Sequence, residues 1–264
     1  MQPLLDVQNI TKTFQSGQSE IAAVESIHFS VIPGEFVCLL GPSGSGKSTL
    51  LRIVGGLLKA ESGQVLLQGS PIAQPHPDIG FVFQKSNLMP WRTVLQNVLL
   101  PTQIRIGQPS EADESQAHKL LELVGLSGFA DAYPSQLSGG MEQRAVLART
   151  LMQKPKLLLM DEPFSALDSL TRERLNLELM HIQAAQQITI VMVTHSINEA
   201  VFLADRVLIM SDRPGHIFAE VIVDLTRPRT FEQMGSEQFG QIATSIRQDL
   251  NLAATYVKVK PNKY

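Results

Sequence analysis

The sequence predicts an α/β fold with a mainly parallel sheet, an antiparallel β subdomain and an inserted helical subdomain. Continuous apolar runs at 36–40, 157–160, 188–193 and 207–210 are typical of strands that helices cover on both faces. Amphipathic helical patterns follow two of these runs, so strands and helices alternate along the chain. This alternation predicts that the four runs form a parallel sheet.

The N-terminal segment 4–40 is predicted to be β structure, and apart from the buried run 36–40 it predicts the antiparallel subdomain. Within it, apolar and polar residues alternate over 27–31, which is the pattern of a half-buried antiparallel strand. Near the other end of the chain, alternation over 217–225 predicts an edge strand. An amphipathic pattern over 239–250 then predicts a final helix.

Two helices are predicted next to the parallel strands. Their apolar residues recur with a 3.6-residue period, at Leu50, Ile53, Val54 and Leu57 in the first helix and at Ile197, Ala200, Val201 and Ala204 in the second. The second helix begins with a capping-box pattern. Ser196 is predicted to cap the helix, and Glu199 is predicted to bond back to the backbone of Ser196.

One domain accounts for the 264 residues of the chain. Residues 86–150 are rich in helical pattern and lack a buried-strand run, so we interpret them as a helical subdomain. The core is then formed by 1–85 and 151–225, and a C-terminal helical extension covers 226–264.

The composition is that of an ordinary globular protein. Hydrophobic residues make up 44% of the chain and the formal net charge is −3, which excludes a disordered polyelectrolyte and gives no indication of nucleic-acid binding. The single cysteine, Cys38, lies in an apolar run, which indicates a buried side chain rather than a reactive thiol. The sequence shows no secretion signal and no membrane span, so we expect a cytoplasmic protein that would need a partner in order to act on a membrane.

A glycine-rich motif follows the first buried run. Its sequence, GPSGSGKS, fits G-x-x-x-x-G-K-[ST] between a buried strand and an amphipathic helix. The residues predicted to bind nucleotide here are Gly41, Pro42, Ser43, Gly44, Ser45, Gly46, Lys47, Ser48 and Thr49. Glycines let the backbone wrap phosphate oxygens, Lys47 neutralises the β- and γ-phosphates, and Ser48 offers its hydroxyl to Mg²⁺. A glycine-rich turn without a ligand is the alternative, which the motif and its context disfavour.

Two carboxylates, Asp161 and Glu162, follow the apolar run 157–160. They come at the C-terminal end of a buried strand, the edge where ligands bind in open α/β sheets. We expect Asp161 to hold Mg²⁺ through its water shell and Glu162 to act as the general base that polarises the attacking water. A solvated acidic turn is the alternative if this motif is taken alone.

A second glycine motif, Leu137-Ser138-Gly139-Gly140-Met141, opens a predicted helix. It resembles the LSGGQ signature of ABC ATPases, and the resemblance, which covers nearly the whole chain, implies a P-loop (RecA-like) core. In that family this helix start binds the γ-phosphate held by another subunit. The resemblance therefore implies that Ser138, Gly139 and Gly140 complete the site of a partner in a head-to-tail homodimer or heterodimer around two ATP molecules.

The resemblance also implies roles for residues outside these motifs. Phe14 looks like the aromatic residue that stacks on adenine, and Gln84 like the glutamine that senses Mg²⁺ and the attacking water. His195 looks like the histidine that contacts the γ-phosphate, and Asp168 lies in a loop that resembles the one communicating across the dimer. Taken alone, Phe14 and Gln84 would more often be packing or surface residues. The implied catalytic set is Lys47, Gln84, Glu162 and His195, with Ser48, Gln84 and Asp161 at the metal.

Weaker signals indicate one branch of this family. Met141 stands where the general signature has glutamine, as in nitrate, sulfonate and taurine importers, and Glu142 adds negative charge to the first turn. Segment 87–94, an Arg-Pro-Gly motif at 213–215 and an Arg-Pro-Arg motif at 227–229 indicate the same branch. The resemblance implies an importer ATPase that uses ATP and Mg²⁺. Its implied partners are permease subunits and, indirectly, a solute-binding protein, and its implied location is the cytoplasmic face of the membrane.

Two alternatives belong to other functional classes. An ABC ATPase that acts on DNA or ribosomes would have no permease, but such relatives usually carry paired cassettes or long coiled-coil insertions. A subunit that binds ATP without hydrolysing it would lack at least one of four residues. All four are present: Lys47, Asp161, Glu162 and His195. Segment 88–91, which ends with Trp91, is predicted to receive a cytoplasmic helix of the permease. Burial of this segment in the core is the alternative.

Overall fold

The computed structural model describes residues 2–16 and 19–259. The strands are β1 (Leu5–Ser16), β2 (Ser19–Val31), β3 (Phe36–Leu40), β4 (Ser62–Leu67), β5 (Ser70–Pro71), β6 (Ile79–Val82), β7 (Leu157–Asp161), β8 (Thr189–Val193), β9 (Arg206–Met210) and β10 (Ile217–Ile222). The helices are α1 (Lys47–Val54), α2 (Val94–Ile106), α3 (Glu111–Leu123), α4 (Gly139–Leu151), α5 (Ser169–Gln186), α6 (Ile197–Leu203) and α7 (Glu237–Val259). The chain divides into two compact units: the first contains the described residues up to 76 and from 189 onward, and the second is Pro77–Ile188.

A parallel sheet forms the centre of the first unit. Strand β3 pairs in parallel with β8 on one side and with β9 on the other, and β10 adds an antiparallel edge strand to β9. Every residue of β3 and β8 is buried. This explains why their sequences are apolar apart from Thr189, because both faces of each strand are removed from water. The predicted parallel strands at 36–40, 188–193 and 207–210 are confirmed.

An antiparallel sheet with the order β2-β1-β4-β5 also belongs to the first unit. In β2 the side chains of Ile27, Phe29 and Val31 are buried, while His28 is exposed and Ser30 is partly exposed. The alternation that predicts a half-buried strand therefore corresponds to one core face and one outer face. The antiparallel β subdomain is confirmed.

The second unit contains the predicted helical segment. Strands β6 and β7 pair in parallel from Ile79 opposite Leu157 to Val82 opposite Met160, and every residue of β7 is buried. Helices α2, α3 and α4 follow β6 and precede β7 along the chain. Strand β6 is missing from the sequence-based expectation, because four residues that include a glycine do not make a distinct apolar run. The limits of the helical subdomain remain a prediction.

Two local expectations are wrong. Helix α1 ends at Val54, and Leu57 lies beyond it and is exposed, because the Gly55-Gly56 pair follows the helix and Gly56 adopts a positive φ of 69°. At the start of α6, Ser196 caps the helix as predicted, accepting a bond from the Glu199 N–H at 3.3 Å. The Glu199 carboxylate, however, accepts a bond from the Thr194 hydroxyl, and that hydroxyl accepts the Ser196 N–H at 3.1 Å.

The chain ends its described part with the amphipathic helix α7, as predicted. Phe239 and Ile246 are buried on one face of this helix, and Arg247 lies on the exposed face. None of the helices in the described residues combines the length and apolar character that crossing a bilayer requires.

Candidate functional site

The glycine-rich motif forms a loop between β3 and α1 in the first unit. Lys47, the first residue of α1, is only 6% exposed, and its Nζ donates to the carbonyl oxygens of Gly41 at 2.8 Å and Pro42 at 2.7 Å. A third contact joins the ammonium to Ser45 Oγ at 3.3 Å. The lysine is therefore held over the loop, with its charge at the N-terminus of a helix that already favours anions.

Gly46 shows why this loop needs glycine. Its φ is 90°, and a Cβ atom at this position would lie 2.6 Å from both the Ala23 carbonyl oxygen and Val24 Cγ1. Gly44 also has a positive φ, of 84°, whereas the intervening Ser45 does not. Such alternation of left-handed and other residues turns successive N–H groups toward one side, which makes a concave anion-binding nest. The loop is therefore shaped to bind an anion such as phosphate.

His195 lies at the same edge of the parallel sheet as the glycine-rich loop. The Thr194 N–H donates to the carbonyl oxygen of Leu39, near the end of β3, at 3.2 Å. His195 is the next residue along the chain. The His195 side chain is exposed. Parallel strands end at a common edge, and this geometry brings the predicted histidine to the side of the sheet from which the loop leaves β3.

Phe14 lies in β1 of the first unit. Its ring is 40% exposed, and Lys12 Nζ lies 5.4 Å from the ring centroid. An exposed aromatic face can stack on another ring, which is the chemistry predicted for this residue.

The acidic pair lies at the C-terminal end of β7 in the second unit. Asp161, the last residue of β7, is 5% exposed, and Glu162 follows with a positive φ of 45°. A left-handed backbone is uncommon for a residue with a side chain and is enriched where a side chain is aimed for function. The left-handed backbone of Glu162 therefore marks the end of β7 as a candidate functional position.

Gln84 contacts the loop that begins at Glu162. Its Nε2 donates to Glu162 Oε2 at 3.2 Å and to Ser165 Oγ at 3.2 Å, while Ser165 Oγ donates to the Glu162 carbonyl oxygen at 3.0 Å. The structure thus brings together two predicted catalytic residues that are 78 positions apart. An amide and a carboxylate in contact can orient one water molecule for attack.

The segment after Gln84 is tied to helix α4. Gln143 donates to the Gln84 carbonyl oxygen at 3.1 Å, and Ser86 donates to the Glu142 carboxylate. Arg149 donates to the Asn87 carbonyl oxygen at 2.9 Å. Sequence reasoning missed these contacts, since nothing in the sequence pairs residues about 60 positions apart. Glu142, which adds negative charge to the first turn of α4, therefore accepts a hydrogen bond from Ser86.

The second glycine motif opens α4 as predicted. Ser138 is the N-cap residue and its Oγ accepts the Met141 N–H at 3.4 Å. Ser138 and Gly139 are exposed, whereas Gly140 is buried, and a Cβ on Gly140 would lie 2.8 Å from Thr171 Cγ2. The helix start thus presents backbone N–H groups and a hydroxyl to solvent, a second place suited to an anion.

Asp168 caps helix α5 from an exposed position. Its Oδ1 accepts the Thr171 N–H at 3.0 Å, and hydrogen bonds from Thr171 lower the pKa of this carboxyl. The residue is therefore ionised at neutral pH, and its negative charge lies at the N-terminus of α5, where the helix dipole favours it.

Comparisons with known proteins identify one family. The family model described as ABC transporter matches residues 24–165, more than half of the chain. An ABC transporter ATP-binding protein of Methanocaldococcus jannaschii is 48% identical over 87% of this chain and 85% of its own length. The nitrate import ATP-binding protein NrtD of Synechocystis sp. is 43% identical over 84% of this chain and 83% of its own length.

A second kind of importer component and a solved structure are also similar. The aliphatic sulfonates import ATP-binding protein SsuB of Bacillus thuringiensis is 37% identical over 92% of this chain and 94% of its own length. The dimeric ATP-binding cassette MJ0796, solved in a post-hydrolysis state with ADP and Pi, superposes with a TM-score of 0.74 at 35% identity. That alignment covers 84% of this chain and all of the other.

Proposed function

This chain belongs to the ABC transporter family of ATP-binding proteins, and we propose that it powers uptake of a small anion, or a related nutrient, through a separate membrane permease. As a member of this family the chain binds and hydrolyses ATP. The observation that carries the ATP-driven part of the proposal is the loop between β3 and α1, where Lys47 and a nest of N–H groups suit a polyphosphate. The similarity to nitrate and sulfonate import proteins supports the importer assignment.

The first unit would bind the nucleotide. Its loop, residues 41–46, would surround the phosphates, Lys47 would neutralise the β- and γ-phosphates, and Ser48 and Thr49 would complete the helix start. Phe14 would stack on the adenine. His195 would contact the γ-phosphate, for which its exposed position at the end of β8 is suitable.

The second unit would supply the hydrolytic chemistry. Glu162 would take a proton from the attacking water, and Gln84, which contacts its carboxylate, would orient that water. The hydrogen bond from the Gln84 amide would fix the orientation of the Glu162 carboxylate, so the carboxylate would need little movement before it accepts a proton.

Each residue predicted at the metal carries an oxygen atom of the kind that Mg²⁺ binds: Ser48, Gln84 and Asp161. Within the described residues no three His, Cys, Asp or Glu side chains cluster as metal ligands. Mg²⁺ does not require such a cluster, since it commonly keeps several waters and binds one or two protein oxygens together with substrate phosphates. When bound, the ion would neutralise charge that develops on the phosphate oxygens.

A second copy or a related subunit would complete each site. Ser138, Gly139 and Gly140 present a hydroxyl and N–H groups at an exposed helix start, and this group would bind the γ-phosphate held by the partner. Asp168 would communicate across the same dimer. Because ATP would bind the closed dimer better than the open one, hydrolysis would reopen it and so drive the permease.

Segment 88–91 is our candidate for the surface that contacts the permease. Trp91 is 69% exposed, which contradicts the alternative that it packs in the core. The backbone beside it is fixed by the buried Asn97, whose Oδ1 accepts the Met89 N–H at 2.7 Å and whose Nδ2 donates to the Arg92 carbonyl oxygen at 3.2 Å. A large aromatic side chain held in solvent by a fixed backbone is suited to anchoring a partner.

Trp91→Ala is expected to weaken capture of the permease at least about tenfold in a pull-down, because aromatic anchors dominate small interfaces. The free energy of unfolding should change by no more than about 0.5 kcal/mol, since an exposed side chain leaves no cavity. Leu252→Ala, at another exposed apolar residue on α7, is the matched control and should keep full capture. A large fall in melting temperature without selective loss of capture would contradict the docking assignment.

A further inference from the structure

The Arg-Pro-Gly motif at 213–215 contacts the glycine-rich loop between β3 and α1, which is called the phosphate loop below. The segment 211–216 connects β9 to β10, and Arg213 Nε donates to the Gly44 carbonyl oxygen at 2.9 Å. Gly215 approaches the same loop, and a Cβ on Gly215 would lie 2.0 Å from the Ser45 carbonyl oxygen. Glycine is therefore required for this segment to pack against the loop as closely as it does.

The segment is anchored independently of Arg213. Ser211 and His216 are joined by two bonds, from the Ser211 N–H to the His216 carbonyl oxygen and from the His216 N–H to Ser211 Oγ, each at 3.0 Å. Gly215 is bonded to β2, donating to the Ala23 carbonyl oxygen and accepting the Glu25 N–H, each at 3.0 Å. The backbone that carries Arg213 is thus fixed, so little conformational entropy is lost in keeping the contact with Gly44 when nucleotide binds.

The contact falls where it can control the shape of the phosphate loop. Gly44 and Gly46 have positive φ values and form a nest of N–H groups with Ser45. Arg213 binds the carbonyl oxygen of Gly44, which belongs to this nest. Lys47 binds two other carbonyl groups of the loop, so two cations hold its backbone.

We propose that Arg213 is a positioning residue of the nucleotide site, which fixes the phosphate-binding shape of the loop through Gly44 and adds positive charge beside it. This inference rests on the proposed phosphate role of residues 41–48. Because Arg213 is exposed, its charge acts through partly screened solvent, and the neighbouring Asp212 carboxylate, which accepts the Arg213 N–H at 2.8 Å, offsets part of it. The residue therefore acts on ATP affinity rather than on the chemical step.

Arg213→Met tests this inference, because it keeps an unbranched apolar stem like that of arginine and removes both the charge and the donor. We expect the Kd for ATP, measured by titration calorimetry at low salt, to rise about tenfold, the size of effect that a hydrogen bond to a charged group has. The rise should be smaller for ADP, which carries less charge, and smaller in 1 M salt. The kcat should stay within about twofold, so the loss appears in KM.

Two further variants complete the experiment. Arg213→Lys keeps a cation and a donor, so its Kd for ATP should stay within about threefold of the unaltered protein. Arg247→Met removes an exposed arginine of α7 and controls for loss of surface charge alone. The melting temperature of the nucleotide-free protein is measured for every variant, since a merely structural role would lower it.

Two results would overturn the inference. They are an unchanged Kd for ATP in Arg213→Met and a loss of affinity that parallels a fall in melting temperature. Lys47→Ala, titrated in parallel, separates this inference from the proposed function. If Lys47→Ala binds ATP normally, the phosphate role of the loop itself is wrong; if it loses ATP and Arg213→Met does not, only the role of Arg213 is wrong.

Discussion

Lys47→Ala is expected to abolish ATP turnover and to weaken ATP binding, with a loss in kcat/KM of at least about a hundredfold. In the structure the ammonium group is held by the carbonyl oxygens of Gly41 and Pro42 over the mouth of the loop. Phosphate oxygens carry full negative charge, which neutral N–H groups alone bind weakly. Removing the cation therefore removes both affinity and the stabilisation of charge that develops during phosphoryl transfer.

Phosphate release from ATP by the purified protein measures this loss. Lys59→Ala, at an exposed lysine of the same unit, is the matched control and should turn over ATP like the unaltered chain. The addition of EDTA to the unaltered chain should stop turnover as well, since Ser48 and Asp161 are proposed to act through Mg²⁺. ATP turnover that persists in Lys47→Ala would show that the loop between β3 and α1 is not the catalytic phosphate site.

Glu162→Gln is expected to keep ATP binding while slowing hydrolysis by at least about a hundredfold, the range that a general base contributes. The amide has nearly the same shape as the carboxylate, so the contact with Gln84 and the path of the loop should persist. It cannot take a proton from water. Because ATP then remains bound, the variant should accumulate as a dimer.

Size-exclusion chromatography with and without ATP separates these outcomes. The unaltered chain should elute mainly as a monomer after ATP has been consumed, and Glu162→Gln should elute as a dimer only when ATP is present. Glu114→Gln, on the exposed face of α3, controls for the loss of one carboxylate. A Glu162→Gln variant that binds ATP yet stays monomeric would contradict the proposed dimer for the isolated chain.

The parts of the site that belong to continuous motifs could be predicted from the sequence. The loop before Lys47 and the acidic pair after β7 each consist of adjacent residues at the end of an apolar run, so the pattern alone places them at a strand end. Strand β6 escaped prediction because its four residues include Gly80, and the run is too short to show a period.

Individual side-chain hydrogen bonds could not be predicted in this way, even between residues close in the sequence. The Glu199 carboxylate was expected to bond to the Ser196 backbone, but the Thr194 hydroxyl accepts the Ser196 N–H and donates to the carboxylate. The bond from Arg213 to Gly44 joins residues 169 positions apart, and its geometry depends on how closely Gly215 packs against the loop. Such contacts follow from tertiary packing, which local periodicity does not encode.

The most direct test of the central claim is affinity purification of the tagged chain from the membranes of the cell that makes it, after solubilisation in a mild detergent. The claim that this chain powers a permease predicts stoichiometric recovery of a protein with several membrane-spanning segments, in a complex that hydrolyses ATP. Recovery of the chain only outside the membrane fraction, with ribosomes or nucleic acid and without a membrane-spanning partner, would contradict it.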